Sequence, residues 1–372
     1  MRIGFLDTAL QYTTETPYKS PLGGSQSALC YLAVELTRLG HAITIFNGLP
    51  GHNKSDGVEI RHISEINAAG SLKNFDIVVV INLACATQLR QAVGFDVPLV
   101  LWAHHAHDQP AMAALNHLGE RKRWAGFAFV SCWQRDCYER QFSIRPEKIK
   151  VLRNAVSPAF ANVSQAQPWF ITGASPTLFY TSTPFRGLDV LIKAFPAIRN
   201  AVPGTRLRVY SSMAVYQVVP ANDPFHDLYR QCQSMDGVEY VASIGQSRLA
   251  GELATAAALA YPSTFAETSC IAVLEAMAVG ASIFTTRLGA LPETTNGLAE
   301  LLEAQSNVDS LAEGFATMTA DALSEMQRNP SRAALRREER IRFIHDNYLW
   351  PSRAREWSLW LSQLAGRALS VP

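Results

Sequence analysis

The 372 residues contain no Asp-x-Asp, no Gly-x-Gly and no Cys-x-x-Cys. Each absence removes a class of chemistry. Without Asp-x-Asp, the short acidic cradle that holds a divalent metal on a phosphorylated substrate is missing, and no metal-ligating set is expected. Without Gly-x-Gly, the phosphate turn of a nicotinamide-dependent oxidoreductase is missing. The six cysteines, at 30, 85, 132, 137, 232 and 270, stand apart from one another. They read as free thiols of a reducing compartment rather than a zinc or disulfide framework. Net charge is only +1, so bulk nucleic-acid binding is not expected. No apolar run is long enough to span a bilayer. The opening MRIGFLD is too short for a signal h-region and reads as a first strand. The expected location is therefore cytoplasmic. Repeats of 20–50 residues and low-complexity tracts are also lacking.

What is present is an ordinary globular composition, 48% hydrophobic and 17% charged, in a chain long enough for two cores. Short apolar runs alternate with helical spacing. Arg2–Leu6 reads as a strand, a loop ends in Gly23-Gly24, Ser27–Leu39 has helical period, and Ala42–Phe46 is a second strand. That order is a βαβ unit, and the glycines allow close backbone approach to a phosphate. Asp76–Asn82 and Pro98–Trp102 read as buried strands, the second running into His104, His105, His107 and Asp108. Three histidines on one loop do not obviously converge on a metal; Asp108 is placed to orient one imidazole. Residues 157–176 are rich in Pro, Ala, Ser and Gln and read as a linker. Strand–helix alternation resumes at Thr177–Tyr180. The expected architecture is α/β, with two Rossmann-like doubly wound domains, 1–156 and 177–350. The charged stretch Asp321–Tyr348 reads as helical, Trp350-Pro351 as a break, and about 351–372 as a closing amphipathic helix.

The most informative stretch is Ala260–Glu293. At its centre, nine of the ten residues of Cys270–Val279 are apolar and the tenth is Glu275. A helix apolar all round is buried, and a buried carboxylate requires a partner or a proton. Glu267 stands just before this helix, Thr268 and Ser269 suit its N-cap, and Gly280 suits its stop. The turn Thr268-Ser269-Cys270 therefore lies at the carboxyl end of a strand, where open α/β sheets bind ligands and helix N–H groups favour an anion. A carboxylate at the mouth and another deeper in suit a ligand with a central phosphate and hydroxyls at both ends. A nucleotide sugar has that form.

Glu267 and Glu275, with the following Ala-Met-Ala, the flanking strands and Gly-Ala-Leu-Pro-Glu, resemble the E-x7-E signature of retaining glycosyltransferases of family 4, which have the GT-B fold. The resemblance implies that Glu267 faces the donor sugar and Glu275 the ribose. It places Gly23 and Gly24 near the donor diphosphate and the acceptor, and a histidine, matched by His104 or in another register His105, at the donor sugar. In that family an Arg and, five residues later, a Lys-Gly grip the diphosphate. Here Arg186-Gly187 matches the second element and Thr181 stands where the first would be. One guanidinium with the hydroxyls of Ser182 or Thr183 would then hold the phosphates. The strand Val238–Ile244, with Ser243 near its end, is implied to lie beside the base. The resemblance also implies that the two domains face a cleft and that the closing helix at about 351–372 crosses back onto the first domain.

The expected activity is retaining, metal-independent transfer from a nucleotide-diphosphate sugar to an acceptor hydroxyl, in glycan or glycoconjugate synthesis of bacterial type, with no other cofactor. An epimerase of the same architecture and a non-catalytic nucleotide-sugar binding module are the alternatives. The acceptor is open: a glycan, a lipid-linked glycan, a protein or a small molecule. Between Arg121 and Arg153 there are nine Lys or Arg against three acids. Such a run suits a solvated face, or peripheral contact with an anionic surface at the inner membrane face.

Overall fold

The structure, a computed structural model, describes residues 1–366 except 9, 68, 69, 94, 95, 162, 164 and 165. It divides into two compact units. Unit 1 holds Met1–Pro17, Gly24–Ala155 and the chain from Trp350 on; unit 2 holds Tyr18–Gly23 and Val156–Leu349. Both are Rossmann-like α/β layers, the fold class expected from the alternation of apolar runs and helical periods.

Unit 1 is built on β1 (Arg2–Leu6), β2 (Ala42–Asn47), β3 (Asn53–Ser55), β4 (Val58–His62), β5 (Ile77–Ile81), β6 (Leu99–Ala103), β7 (Gly126–Phe129) and β8 (Ile149–Val151). Their order is β3-β4-β2-β1-β5-β6-β7-β8. Only β3 runs antiparallel, to β4; the other pairings are parallel. Every residue of β5 and β6 is buried, which is why both read as unbroken Val/Ile/Leu runs rather than alternating ones.

The helix Trp350–Leu364 belongs to this unit. Trp350-Pro351 does not break the chain but opens this helix, because the first turn has no acceptor for the missing proline N–H. Its Trp357 ring lies 4.9 Å from that of Trp102. Trp350 lies 6.0 Å from Tyr31. Trp360 fills the space a side chain at Gly126 would need: a Cβ there would sit 2.7 Å from the indole. Residues 367–372 of the expected helix fall outside the described residues.

Unit 2 contains β9 (Thr177–Tyr180), β10 (Arg206–Val209), β11 (Val238–Tyr240), β12 (Ala258–Tyr261), β13 (Ser282–Thr286) and β14 (Glu300–Leu302). All are parallel, in the order β11-β10-β9-β12-β13-β14. The direction of winding reverses between β9 and β12. The crevice past their carboxyl ends is where such sheets take ligands. The polar stretch 157–176 contributes to this unit's core through Phe160 and Trp169, 1% and 6% exposed; its low periodicity hides two aromatic anchors. The charged run expected as one helical stretch is two helices, Val308–Arg328 and Pro330–Asn347. Pro330 cannot continue the first but suits the start of the second.

Trp357→Ala should lower the stability of unit 1 by about 3–5 kcal/mol, the usual range for emptying a buried tryptophan site. Denaturant melts followed by near-ultraviolet dichroism would read this as a lower midpoint; an unchanged midpoint would mean that the helix contributes no packing.

Candidate active site

Two loops meet at the switch point of the second sheet. The loop after β9 carries Thr181–Arg186, and the loop after β12 carries Pro262–Cys270. Gly187 makes their approach possible. Its φ is +105°, and a Cβ there would lie 2.1 Å from the carbonyl oxygen of Pro262. From the other side, Gly289 at φ +60° presses on the backbone of Glu267; a Cβ would lie 2.4 Å from its carbonyl oxygen. Ala290 N–H donates to that same oxygen at 2.7 Å, and Thr286 Oγ1 donates to the Ser263 carbonyl at 2.7 Å. The sequence Gly289-Ala290-Leu291-Pro292-Glu293 thus acts as a clamp on the backbone that bears Glu267.

Glu267 is 3% exposed and held at its carboxylate as well. Arg186 Nη1 donates to Oε1 at 2.8 Å and to Oε2 at 3.1 Å, and the Tyr261 hydroxyl donates to Oε1. Burial, and then the Glu267 charge, push the Tyr261 phenol well above its ordinary pKa, so it remains a donor. Burial opposes the charge on Arg186 most strongly, yet the Glu267 carboxylate, together with Tyr261 and other neighbours, more than offsets it and holds the guanidinium above its ordinary pKa. The guanidinium also lies over the Phe265 ring, 4.6 Å from the centroid, and 5.5 Å from that of Phe185, within cation–π range.

Not every polar atom here is satisfied. The buried Nε of Arg186 and the hydroxyls of Thr181 and Thr183 have no hydrogen-bond partner among the described residues. Buried polar atoms left so point to a missing ligand or water. Ser182 is differently engaged: its Oγ is 3.4 Å from the Tyr261 hydroxyl, and its carbonyl accepts from Ser211 Oγ at 2.6 Å.

Helix Ile271–Ala278 starts with Cys270 as its N-cap residue. Thr268 and Ser269 therefore precede the cap rather than form it, because the clamp on Glu267 extends the loop to Cys270. The helix ends in a Schellman turn: Gly280 N–H donates to Met277 O at 2.9 Å and Ala281 N–H to Ala276 O at 3.0 Å. Glu275, 4% exposed, is driven up to a pKa of about 8 by burial, and a hydrogen bond from the Gln246 side chain only partly opposes this. Gln246 opens the helix that follows β11, after Gly245. A Cβ on Gly245 would lie 2.6 Å from the backbone of Lys19, so the segment containing Gly23 lies against this same loop. Gly24 instead starts the helix Gly24–Arg38 of unit 1. β11 is shorter than expected and ends at Tyr240; Ser243 lies beyond it, with Oγ 3.5 Å from the Ser212 carbonyl.

In unit 1, His104 follows β6. Its N–H donates to Asn82 Oδ1 at 2.7 Å and its Nε2 lies 3.2 Å from Asn154 Oδ1. Its pKa is lowered to about 3, chiefly by burial, with the Asn154 hydrogen bond opposing and His105 adding to the shift; the imidazole is neutral at pH 7. The His105 carbonyl accepts from Gln134 Nε2 at 2.8 Å and from the Tyr138 hydroxyl at 2.9 Å, so this residue is anchored by its backbone. His107 is partly buried. Asp108 is exposed and orients no imidazole among the described residues; Asn154 stands in that position for His104. No group of three or more His, Cys, Asp or Glu able to hold a metal occurs among the described residues. Nor is any helix among them long and apolar enough to cross a membrane. Several cations of the basic run are spent locally. Arg121 Nη1 donates to Leu115 O at 2.6 Å, Lys148 Nζ to Trp124 O at 2.5 Å, and Arg123 Nε to Thr87 Oγ1 at 3.1 Å.

Residues 175–321 match the model of a family described as glycosyl transferases group 1. The MMP alpha-(1->4)-mannosyltransferase of Mycolicibacterium hassiacum is 24% identical over 363 aligned residues, covering 79% of this chain and 85% of that protein. Among solved structures, a glycosyltransferase from Rickettsia africae superposes with a TM-score of 0.73 at 14% identity, covering 99% of each chain. Anabaena HepE, in complex with UDP and glucose, superposes with a TM-score of 0.69 at 15% identity, covering 98% of this chain and 100% of that one. The fold is that of the GT-B glycosyltransferases, and the family match and the mannosyltransferase relative support a glycosyltransferase.

The state of Glu275 is open to a direct check. Its pKa of about 8, against an ordinary 4.5, means that the folded protein keeps a proton the unfolded chain releases. This contribution to stability is full below about 4.5, declines as pH rises, and is gone above about 8. Glu275→Gln should lack that decline. Urea melts of both proteins at pH 5 and pH 8 would show the variant gaining on the wild type at the higher pH; parallel losses would mean that Glu275 is already ionised.

Proposed function

We propose that this chain is a retaining glycosyltransferase that transfers a sugar from a nucleotide-diphosphate sugar, with UDP the first nucleotide to test, to an acceptor hydroxyl. The observation that carries the reading is the pairing of Arg186 with the buried Glu267 carboxylate, set at the switch point among unpartnered hydroxyls and directly ahead of the helix that contains Glu275. It lies within the segment matched by the glycosyltransferase family model.

Arg186 Nη1 donates to both oxygens of Glu267, while its Nε is left over. A diphosphate entering beside Thr181 and Thr183 offers Arg186 a second, stronger set of acceptors, which leaves Glu267 to accept hydrogen bonds from sugar hydroxyls. Glu275, deeper and bonded by Gln246, accepts from the ribose hydroxyls. In the transfer step the bond from the anomeric carbon to the phosphate oxygen breaks and a bond to the acceptor oxygen forms on the same face. The acceptor proton passes to the departing phosphate. The charge gathering on that phosphate meets Arg186 and the N-terminal turn of helix Ile271–Ala278, fixed in advance of the reaction. Glu267 thereby positions the sugar without acting as a nucleophile. His104 of unit 1 keeps its imidazole neutral, able both to donate and to accept a hydrogen bond. With no Asp-x-Asp in the chain, turnover is expected to proceed without added metal.

A thermal-shift panel of UDP-, GDP- and ADP-sugars tests donor binding, since a ligand specific to the native state raises its stability. One base should shift the wild type and lose its effect in Glu275→Ala. Silence across the panel with a folded protein would remove the nucleotide-sugar reading. With the donor so identified, Arg186→Gln should slow transfer by about 100-fold or more. Transfer should persist in excess chelator; its loss there, with recovery on adding Mg²⁺, would refute the metal-independent mechanism.

A further inference from the structure

Unit 2 holds a second concavity that shares no residue with the Glu267 loop. It is a cavity of about 510 Å³ between β13 and the helices Val308–Arg328 and Pro330–Asn347. Ile283, Phe284, Met318 and Met326 form apolar walls, and Arg332, Arg336 and Arg340, four residues apart on one helix, line one side. Successive positions at this spacing share a helix face.

Arg340 is the unusual member. It is 5% exposed, yet among the described residues its hydrogen-bond acceptors are neutral: Gly280 O at 3.3 Å and Ser282 Oγ at 3.2 Å, both reached by Nη2. Its buried Nε has no acceptor among the described residues. A buried cation without a carboxylate is costly unless something else supplies the negative charge. The carboxylates nearby do not do so. Glu325 is taken by Arg328 at 3.2 Å and Asn329 at 2.7 Å. Glu300 and Asp321 are exposed residues of the lining, and Glu339 lies 3.7 Å from Arg336. Burial, and then Arg336 and Arg337, lower the Arg340 pKa to about 10, with Glu300 and Glu339 opposing only weakly; the group is still charged at pH 7.

We propose that this cavity is a binding site for a small soluble phosphate monoester, its phosphate on Arg340 and Arg336 and its body against the apolar wall. The volume falls in the range of small-molecule sites, and a phosphate accepts from a guanidinium fork as a carboxylate would. The exposed Glu300 and Asp321 disfavour an anionic bilayer as the source of that phosphate, because they would repel its surface.

Inorganic phosphate is the probe, followed by ³¹P line broadening on titration with the full chain and by the melting temperature. Binding is expected in the wild type and in Arg186→Gln, which separates this site from the switch-point crevice. It should weaken about tenfold or more in Arg332→Glu, an exposed position where the fold is not at risk, and vanish in Arg340→Met. No binding to the wild type, equal binding by wild type and Arg332→Glu, or loss in Arg186→Gln with retention in Arg332→Glu would each overturn the proposal. Sedimentation with phosphatidic acid vesicles, abolished by Arg332→Glu, would overturn the assignment to a soluble ligand.

Discussion

A carboxylate inside an apolar unit must be matched atom by atom, and unit 2 is arranged around two solutions to that demand. Glu267 is matched by charge: Arg186 and Tyr261 donate to its oxygens while Gly289 and Ala290 hold its backbone. Glu275 is matched by protonation and one amide, Gln246. The ion pair resists removal of either partner more than it adds net stability. It keeps a cation and an anion in a fixed relation at the switch point of the sheet. The other carboxylate is held close to neutral pH, with its proton exchangeable against a ligand's hydroxyl. One helix and the loop before it thus present two different hydrogen-bonding characters on neighbouring turns.

The loop after β9 shows how one guanidinium is made to stand where two cations are usual in the resembled family. Phe185 and Phe265 lie against the Arg186 guanidinium, restricting its rotamers and lowering the local dielectric. Thr181 adds a buried hydroxyl with no partner among the described residues.

The parts of this arrangement that were legible in the sequence are those written in local pattern. The strands, the buried helix Ile271–Ala278, its Gly280 stop and the doubly wound class follow from periodicity and apolar runs, because burial on both faces leaves continuous Val/Ile/Leu stretches. Partnerships formed across long separations were not legible. Asn154 meets His104 from a different strand end, Gln246 meets Glu275 from the helix after β11, and Gly289 matters only because the Glu267 backbone lies against it. Asp108 looked like a partner for an imidazole through nearness in sequence alone, and the fold turns it to solvent. Local propensity also misplaced boundaries: Thr268 and Ser269 are good caps in isolation, but the clamp on Glu267 decides where the helix begins. Pro351, which looks like an end, is a beginning, and Pro330, inside a stretch read as one helix, opens the second of two.

The helix that carries Trp350, Trp357 and Trp360 bears on how the molecule is made. Unit 2 has all its residues once Leu349 has left the ribosome, whereas unit 1 still lacks the helix that covers Trp102 and Tyr31. The half encoded first is thus completed last, reversing the usual N-to-C order of domain folding. During that interval the nascent chain exposes the indole of Trp102 and the groove at Gly126. Those are the surfaces on which a chaperone, or an aggregate, would find it.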